Sequence, residues 1–336
     1  MFREYLKLAR SYNAVLTGIS PVMGAVAMEM YDIKILFLLF LVGFLGHTYG
    51  FILNDICDYR IDRSSIAGAD RPLISGAISV RRAWILAFIS LIAALIIAIY
   101  TAYITKNYFS LLILLISAFF VTLYDLTSKK FVYADFIITT GIFFIILYGS
   151  VSVTGNLVDV SRLAWIVCIL GVIQVLYMQT IAGGLKDVEN DLKSGGNTLA
   201  IKLGIRVIDG FLKIPLGFKT LAYSIQLVNI IVVFLPFFIV WDINNITFFN
   251  YIQGILLLII SIMMFIPTYK IFSMEKFERD KSISYMGIYY VFNFALVPIM
   301  LMNLNYWAGI LVFFPGLGFI LSNAIIHGTV FQPKNM

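Results

Sequence analysis

The chain has 336 residues, of which 61% are hydrophobic, 15% aromatic and only 12% charged, with a formal net charge of +6. Soluble domains carry about 45–50% apolar and ~25% charged residues, so a soluble globular fold is excluded, as are disorder, collagen-like repeats and a disulfide-stapled secreted scaffold. The composition is that of a polytopic membrane protein.

A helix that crosses lipid satisfies its own backbone hydrogen bonds and needs ~20 apolar residues to do so. Ten stretches qualify, in chain order 13–30, 35–53, 83–104, 108–123, 134–153, 163–185, 221–241, 251–269, 284–303 and 306–326. Lys and Arg near helix ends stay on the cytoplasmic side during insertion. With the N-terminus inside, 21 of the 24 basic residues fall in inner segments, and only Lys34, Lys106 and Arg162 fall outside. Both termini are therefore expected in the cytoplasm. Ala25-Val26-Ala27 after the basic start resembles a signal-peptidase site, but losing that helix would invert every later loop against the charge bias. Pro315 and three nearby glycines mark the last span as a candidate broken or re-entrant helix. Cys57 and Cys168 belong to opposite faces and are too far apart to bridge.

Two inner loops are long, 55–82 with 28 residues and 186–220 with 35, and connections of that length usually carry function. They follow the second and sixth spans, which predicts two parallel four-helix halves, about 13–124 and 134–270. A ninth helix completes a bundle over 1–303, and 304–336 form an extra C-terminal segment and tail. A third, strongly charged inner loop lies around 270–282.

Each long loop opens with spaced aspartates. If the second helix continues past its apolar core, Asn54, Asp58 and Asp62 share one face at four-residue steps, with Asp55 beside Asp58. Like charges at that spacing repel and aspartate is a poor helix former, so a cationic partner is needed. The sixth span ends in Lys186-Asp187-Val188-Glu189-Asn190-Asp191, again with two aspartates four apart. A single such run is readily a solvated face. Two at equivalent places on the membrane boundary point to an acceptor-only oxygen site that suits Mg²⁺ completed by water and substrate phosphate. Zinc and copper are excluded for want of a Cys/His set, since only His47 and His327 are present. Arg10, Asn13, Arg71, Lys129, Lys130 and Lys186 stand near these acids and are candidates to hold an anionic ligand bridging the metal. Most other basic residues mark topology or lipid headgroups.

The Asn54-Asp55-x-x-Asp58-x-x-x-Asp62 run resembles the first signature of the UbiA superfamily of intramembrane prenyltransferases. Asp187-x-x-x-Asp191-x-x-x-Gly195, with Thr198-Leu199-Ala200 and Leu203-Gly204 after it, resembles the second. Arg71-Pro72-Leu73-x-Ser75-Gly76 and Tyr124 with Lys129 are also similar to patterns of that family. The resemblance implies an all-α transmembrane bundle with a central cavity under a cytoplasmic cap. It also implies two aspartate motifs that bind Mg²⁺ and the diphosphate of a prenyl donor. The family has nine spans, so 306–326 stands outside its pattern, and Glu189-Asn190 replaces a glycine that many relatives carry.

The implied chemistry is ionisation of an allylic diphosphate, with charge on the leaving group stabilised electrostatically by metal, Arg71 and Lys129. A dry aromatic wall including Tyr124 would shield the cation, and Asp58 and Asp62 are the candidate catalytic acids, Asp62 as a possible proton acceptor. Donor and lipophilic acceptor would enter from the bilayer, and no nucleic-acid partner is expected. A transporter would place charges at mid-bilayer on broken helices, and the Asp-Gly order of CDP-alcohol phosphotransferases is absent. A terpene cyclase of the same fold remains open. The 70–76 run is most similar to the branch holding archaeal digeranylgeranylglyceryl phosphate synthases and chlorophyll synthases. Geranylgeranylglyceryl phosphate is therefore the first acceptor, and 4-hydroxybenzoate or dihydroxynaphthoate the alternative.

Overall fold

A computed structural model describes residues 1–63, 71–128, 130–241 and 247–330. The first four helices of the charged-to-apolar series are α1 (Phe2–Leu8), α2 (Ser11–Val26), α3 (Ile33–Asp62) and α4 (Val80–Thr105). They are followed by α5 (Phe109–Thr127), α6 (Ala134–Thr154) and α7 (Arg162–Leu176), the last running through a π-helical stretch, Tyr177–Gly183, into α8 (Gly184–Lys186). Two short helices, α9 (Val188–Ser194) and α10 (Leu199–Lys202), precede an antiparallel hairpin of β1 (Arg206–Ile208) and β2 (Phe211–Lys213). The chain then re-enters the bundle as α11 (Leu216–Phe234) with α12 (Pro236–Ile239), α13 (Phe248–Met263) with α14 (Phe265–Phe272), and α15 (Arg279–Leu301). A 3₁₀ turn over Tyr306–Val312 leads into α16 (Phe313–His327).

Among the described residues, nine helices are long and apolar enough to cross a membrane. The stretch expected at 13–30 is the exception. Its helix, α2, has 16 residues and therefore reaches only about 24 Å at 1.5 Å per residue. Lipid contact does not stabilise α2, since most of its side chains are buried. A Cβ on Gly24 would fall on the Ile146 carbonyl, and one on Gly149 would fall on the Pro21 carbonyl. Small residues thus let the α2 and α6 backbones touch, and Ser150 Oγ donates to the Gly24 carbonyl at 3.0 Å. The last span runs continuously, 3₁₀ over Tyr306–Val312 and then α with Pro315 in its first turn, and it packs along α2: a Cβ on Gly318 would come within 2.8 Å of Val15, and Tyr12 meets Phe319 edge-on.

Two devices build the charged end. The first inner loop is pinned by Leu73 and Ile78, which sink into a small separate core with Leu8, Ile52, Ala83 and Ala87. The second loop folds as a cap, with the hairpin carried by the third loop: Leu212 N donates to Glu275 O at 3.0 Å and Phe277 N to Gly210 O at 2.8 Å. Asp209 and Gly210 at the hairpin tip both have positive φ, as a tight two-residue turn demands.

Gly149→Leu should separate α2 from α6, because no rotamer places its side chain clear of the Pro21 carbonyl. Overpacking costs about 1–3 kcal/mol in a soluble core and more where backbone is displaced. The expected result is a lowered thermal unfolding midpoint in detergent; an unchanged midpoint would show that the two helices do not depend on this contact.

Candidate active site

The α3 helix does not end with its apolar core at 53 but continues to Asp62. Its last two turns therefore carry Asn54 and Asp58 on one face, and both line a cavity of about 350 Å³ inside the bundle. Asp55 is not in the lining but pairs with two residues that are. Both it and Arg10 are buried, with Arg10 Nη2 donating to Asp55 Oδ1 at 2.9 Å and Arg71 Nη1 standing 3.9 Å from the same oxygen. The Arg10 guanidinium also lies over the Phe51 ring, 4.7 Å from its centroid. Arg10 is placed there by an unusual backbone, with φ 44° and ψ 47° at the junction of α1 and α2. A non-glycine residue held in this left-handed region costs of order 1–3 kcal/mol and persists only where surrounding contacts impose it.

The second aspartate motif begins where the sixth span breaks. The π-helical stretch re-aims the end of that span, as such stretches often do at functional sites, and Met178, Gln179 and Thr180 line the cavity with Gly183 and Gly184. A Cβ on Gly184 would meet Ala200 at 2.6 Å, so this glycine is what lets Thr198-Leu199-Ala200 fold back beneath the span and join the lining. Asp187 and Asp191 sit one turn apart, their main chains joined by Asp191 N donating to Asp187 O at 2.9 Å. Asp187 meets Lys186 Nζ at 3.5 Å and Arg279 Nη2 at 3.4 Å. Burial by itself would raise the Asp187 pKa; the charges of Lys186, Arg279, Arg71 and Arg10 outweigh it and hold the carboxyl below its ordinary range.

Of the residues singled out in the sequence, Arg10, Asn13, Asn54, Asp58, Arg71, Tyr124, Lys186, Asp187 and Asp191 all line this one cavity. Asp55 backs it through Arg10. Lys130 is exposed and is not part of the lining. Lys129 lies outside the described residues, and Asp62 is described only as the last residue of α3. Several cavity groups were not anticipated. Asp125 is buried near the end of α5, and Asp135 at the start of α6 accepts a hydrogen bond from Thr180 Oγ1 at 2.8 Å. His47 Nδ1 is paired with Thr17 Oγ1 at 2.8 Å, and Tyr290 and Phe294 add an aromatic wall from α15. The signal for Asp125 and Asp135 was present in the sequence, since an ionisable residue within or at the edge of an apolar span is rare and usually faces a cavity.

The charged end of the cavity is lined with carboxylates and cations; beyond it, Leu16, Leu91, Leu95, Leu114, Val121 and Ile142 make an apolar bore. Such a shape fits an amphiphile with an anionic head and a hydrocarbon tail. Among the described residues no three His, Cys, Asp or Glu side chains converge as a ready metal cage. The available donors are carboxylate oxygens from two separate helices, which fits Mg²⁺, an ion that commonly takes one or two carboxylates and completes its shell with water and phosphate.

Comparison with known proteins gives the same assignment. The sequence profile of the UbiA prenyltransferase family matches residues 14–270, and the chain belongs to that family. Digeranylgeranylglyceryl phosphate synthase of Thermococcus gammatolerans is 29% identical over 262 residues, 70% of this chain and 87% of that protein. The synthase of Thermococcus kodakarensis is 39% identical over a shorter stretch of 80 residues, 23% of this chain and 28% of that protein. The fold is similar to that of a UbiA homologue from Archaeoglobus fulgidus bound to GPP and Mg²⁺, with a TM-score of 0.63 at 15% identity, covering 94% of this chain and 99% of that one.

Asp55→Ala would leave the Arg10 guanidinium buried and unpaired, which costs about 3–5 kcal/mol. The double variant Arg10→Ala/Asp55→Ala should be less destabilised than the sum of the single changes. Additive losses in thermal unfolding would show that the pair is not coupled.

Proposed function

We propose that the chain transfers a prenyl group from an isoprenoid diphosphate to the hydroxyl of a lipidic acceptor within the membrane, with geranylgeranyl diphosphate as donor and geranylgeranylglyceryl phosphate as acceptor. The observation that carries this reading is one cavity that joins two aspartate motifs and a set of cations at its mouth to an apolar bore. Similarity to digeranylgeranylglyceryl phosphate synthases over most of the chain supports the choice of acceptor. The bias of basic residues supports a mouth that opens to the cytoplasm.

In this reading Asp58 on α3 and Asp187 and Asp191 on the cap hold Mg²⁺, which supplies charge neutralisation for the diphosphate. Arg71, Lys186 and Arg10 hold the outer phosphate oxygens, and Arg279 keeps Asp187 ionised and aimed at the mouth. These charges are already in place before reaction, so stabilising the departing diphosphate requires little reorganisation. The apolar bore and the Tyr124 and Tyr290 rings exclude water that would otherwise trap the allylic cation. The reaction forms one C–O bond between the acceptor oxygen and the allylic carbon, breaks the C–O bond to diphosphate with its electron pair leaving on diphosphate, and releases one proton.

Purified protein in detergent, given geranylgeranyl diphosphate and geranylgeranylglyceryl phosphate, should form the diether only with Mg²⁺ and lose activity in EDTA. Turnover of donor without acceptor would instead indicate cyclisation or hydrolysis. Asp58→Ala and Asp191→Ala should each lower kcat by at least ~100-fold while thermal unfolding is retained. Full activity in either variant would refute the two-motif site.

A further inference from the structure

The charges that line the cavity are not mixed evenly. Arg10, Arg71 and Lys186 stand with Asp55 and Asp187, and each is held in an ion pair there. Asp125 is not paired in this way. It lies in the last turn of α5, is 5% exposed and lines the cavity, yet no ion pair to it occurs among the described residues. Its Oδ2 has no hydrogen-bond partner.

Desolvating a carboxylate oxygen without a partner is costly, and buried polar atoms left so are expected to meet a ligand or water. The space beside Oδ2 is kept open by a glycine. A Cβ on Gly50 of α3 would stand 3.9 Å from Asp125 Oδ2 and 3.0 Å from Val121 Cγ1. Gly50 itself lines the cavity.

An unpartnered carboxyl oxygen lining the cavity is a ready acceptor for a group that donates a hydrogen bond. We propose that Asp125 binds the hydroxyl of the prenyl acceptor, accepting its hydrogen bond at Oδ2 in the space beside Gly50. This rests on the acceptor reading above and adds to it a residue that prefers an alcohol nucleophile. The hydroxyl is oriented so that its oxygen lone pairs are free toward the donor carbon. The anionic end of the donor stays with the cations, and the two substrates are thereby separated along the cavity by charge.

The test uses the full chain in detergent with geranylgeranyl diphosphate, geranylgeranylglyceryl phosphate and Mg²⁺, together with a deoxy analogue of the acceptor as inhibitor. Asp125→Asn keeps the shape and replaces one of the two carboxyl oxygens with an amide donor. It should raise the acceptor KM by up to about tenfold, the worth of a hydrogen bond. The donor KM, the Mg²⁺ concentration for half-activity and the inhibition constant of the deoxy analogue should not change. Gly50→Ala, which keeps the carboxyl and fills the space beside it, should raise the acceptor KM in the same selective way. An unmoved acceptor KM in Asp125→Asn overturns the proposal, as does a parallel shift in donor KM or Mg²⁺ requirement, which would assign Asp125 to the diphosphate end. Wild-type protein inert with this acceptor would overturn the acceptor reading itself and the proposal with it.

Discussion

A membrane-embedded site for an anionic headgroup must keep several charges at the edge of a low-dielectric bundle without letting them collapse onto one another. The pairing of Arg10 with Asp55 meets this constraint, and three parts of the structure converge on it. Asp55 belongs to the polar extension of α3, Arg10 to the junction that starts α2, and Arg71 to the first inner loop. Two buried charges pay a desolvation penalty that their attraction offsets only with good geometry and further partners, and here Phe51 and Arg71 supply them. The left-handed backbone at Arg10 follows, because the guanidinium can reach Asp55 only if α1 and α2 meet at a sharp corner.

The cap repeats the arrangement from the other side. Asp187 lies between Lys186 at the end of the sixth span and Arg279 at the start of α15. The second aspartate motif is thereby tied to both the helix before it and the third inner loop. Main-chain bonds between the hairpin and residues 275–277 hold that third loop in place. Asp58, Asp187 and Asp191 are thus presented from different elements around one cavity rather than as a preassembled cage.

Much of this was legible in the residues. Apolar runs of ~20 residues can only be helices in lipid, so all the spans but the first followed in order from hydropathy, and the aspartate spacing placed Asn54 and Asp58 on one face of α3. The residues that were missed share a physical cause. Asp125 and Asp135 are single acids at the edges of apolar runs, a rarity that hints at a cavity, but which cavity and which neighbours they meet is set only by the packing of α5 and α6. Arg279 was one of several basic residues in a charged loop, and only the return of α15 beside the sixth span brings it to Asp187. In the same way Asp55 and Asp58 are indistinguishable in one dimension; only the position of Arg10 beside α3 decides that Asp55 is the one it pairs with.

The sequence by itself determined that the protein is a helical membrane bundle and that it carries two aspartate motifs at helix ends, because apolar runs of this length can satisfy their backbone hydrogen bonds in lipid only as helices. Which helices touch was decided only in three dimensions. The fit of Gly24 and Gly149 buries α2, α16 covers α2 from outside, and Gly50 leaves room beside Asp125. These outcomes depend on contacts between residues far apart in the chain, where a few tenths of an ångström decide whether two backbones meet or a substrate group fits between them.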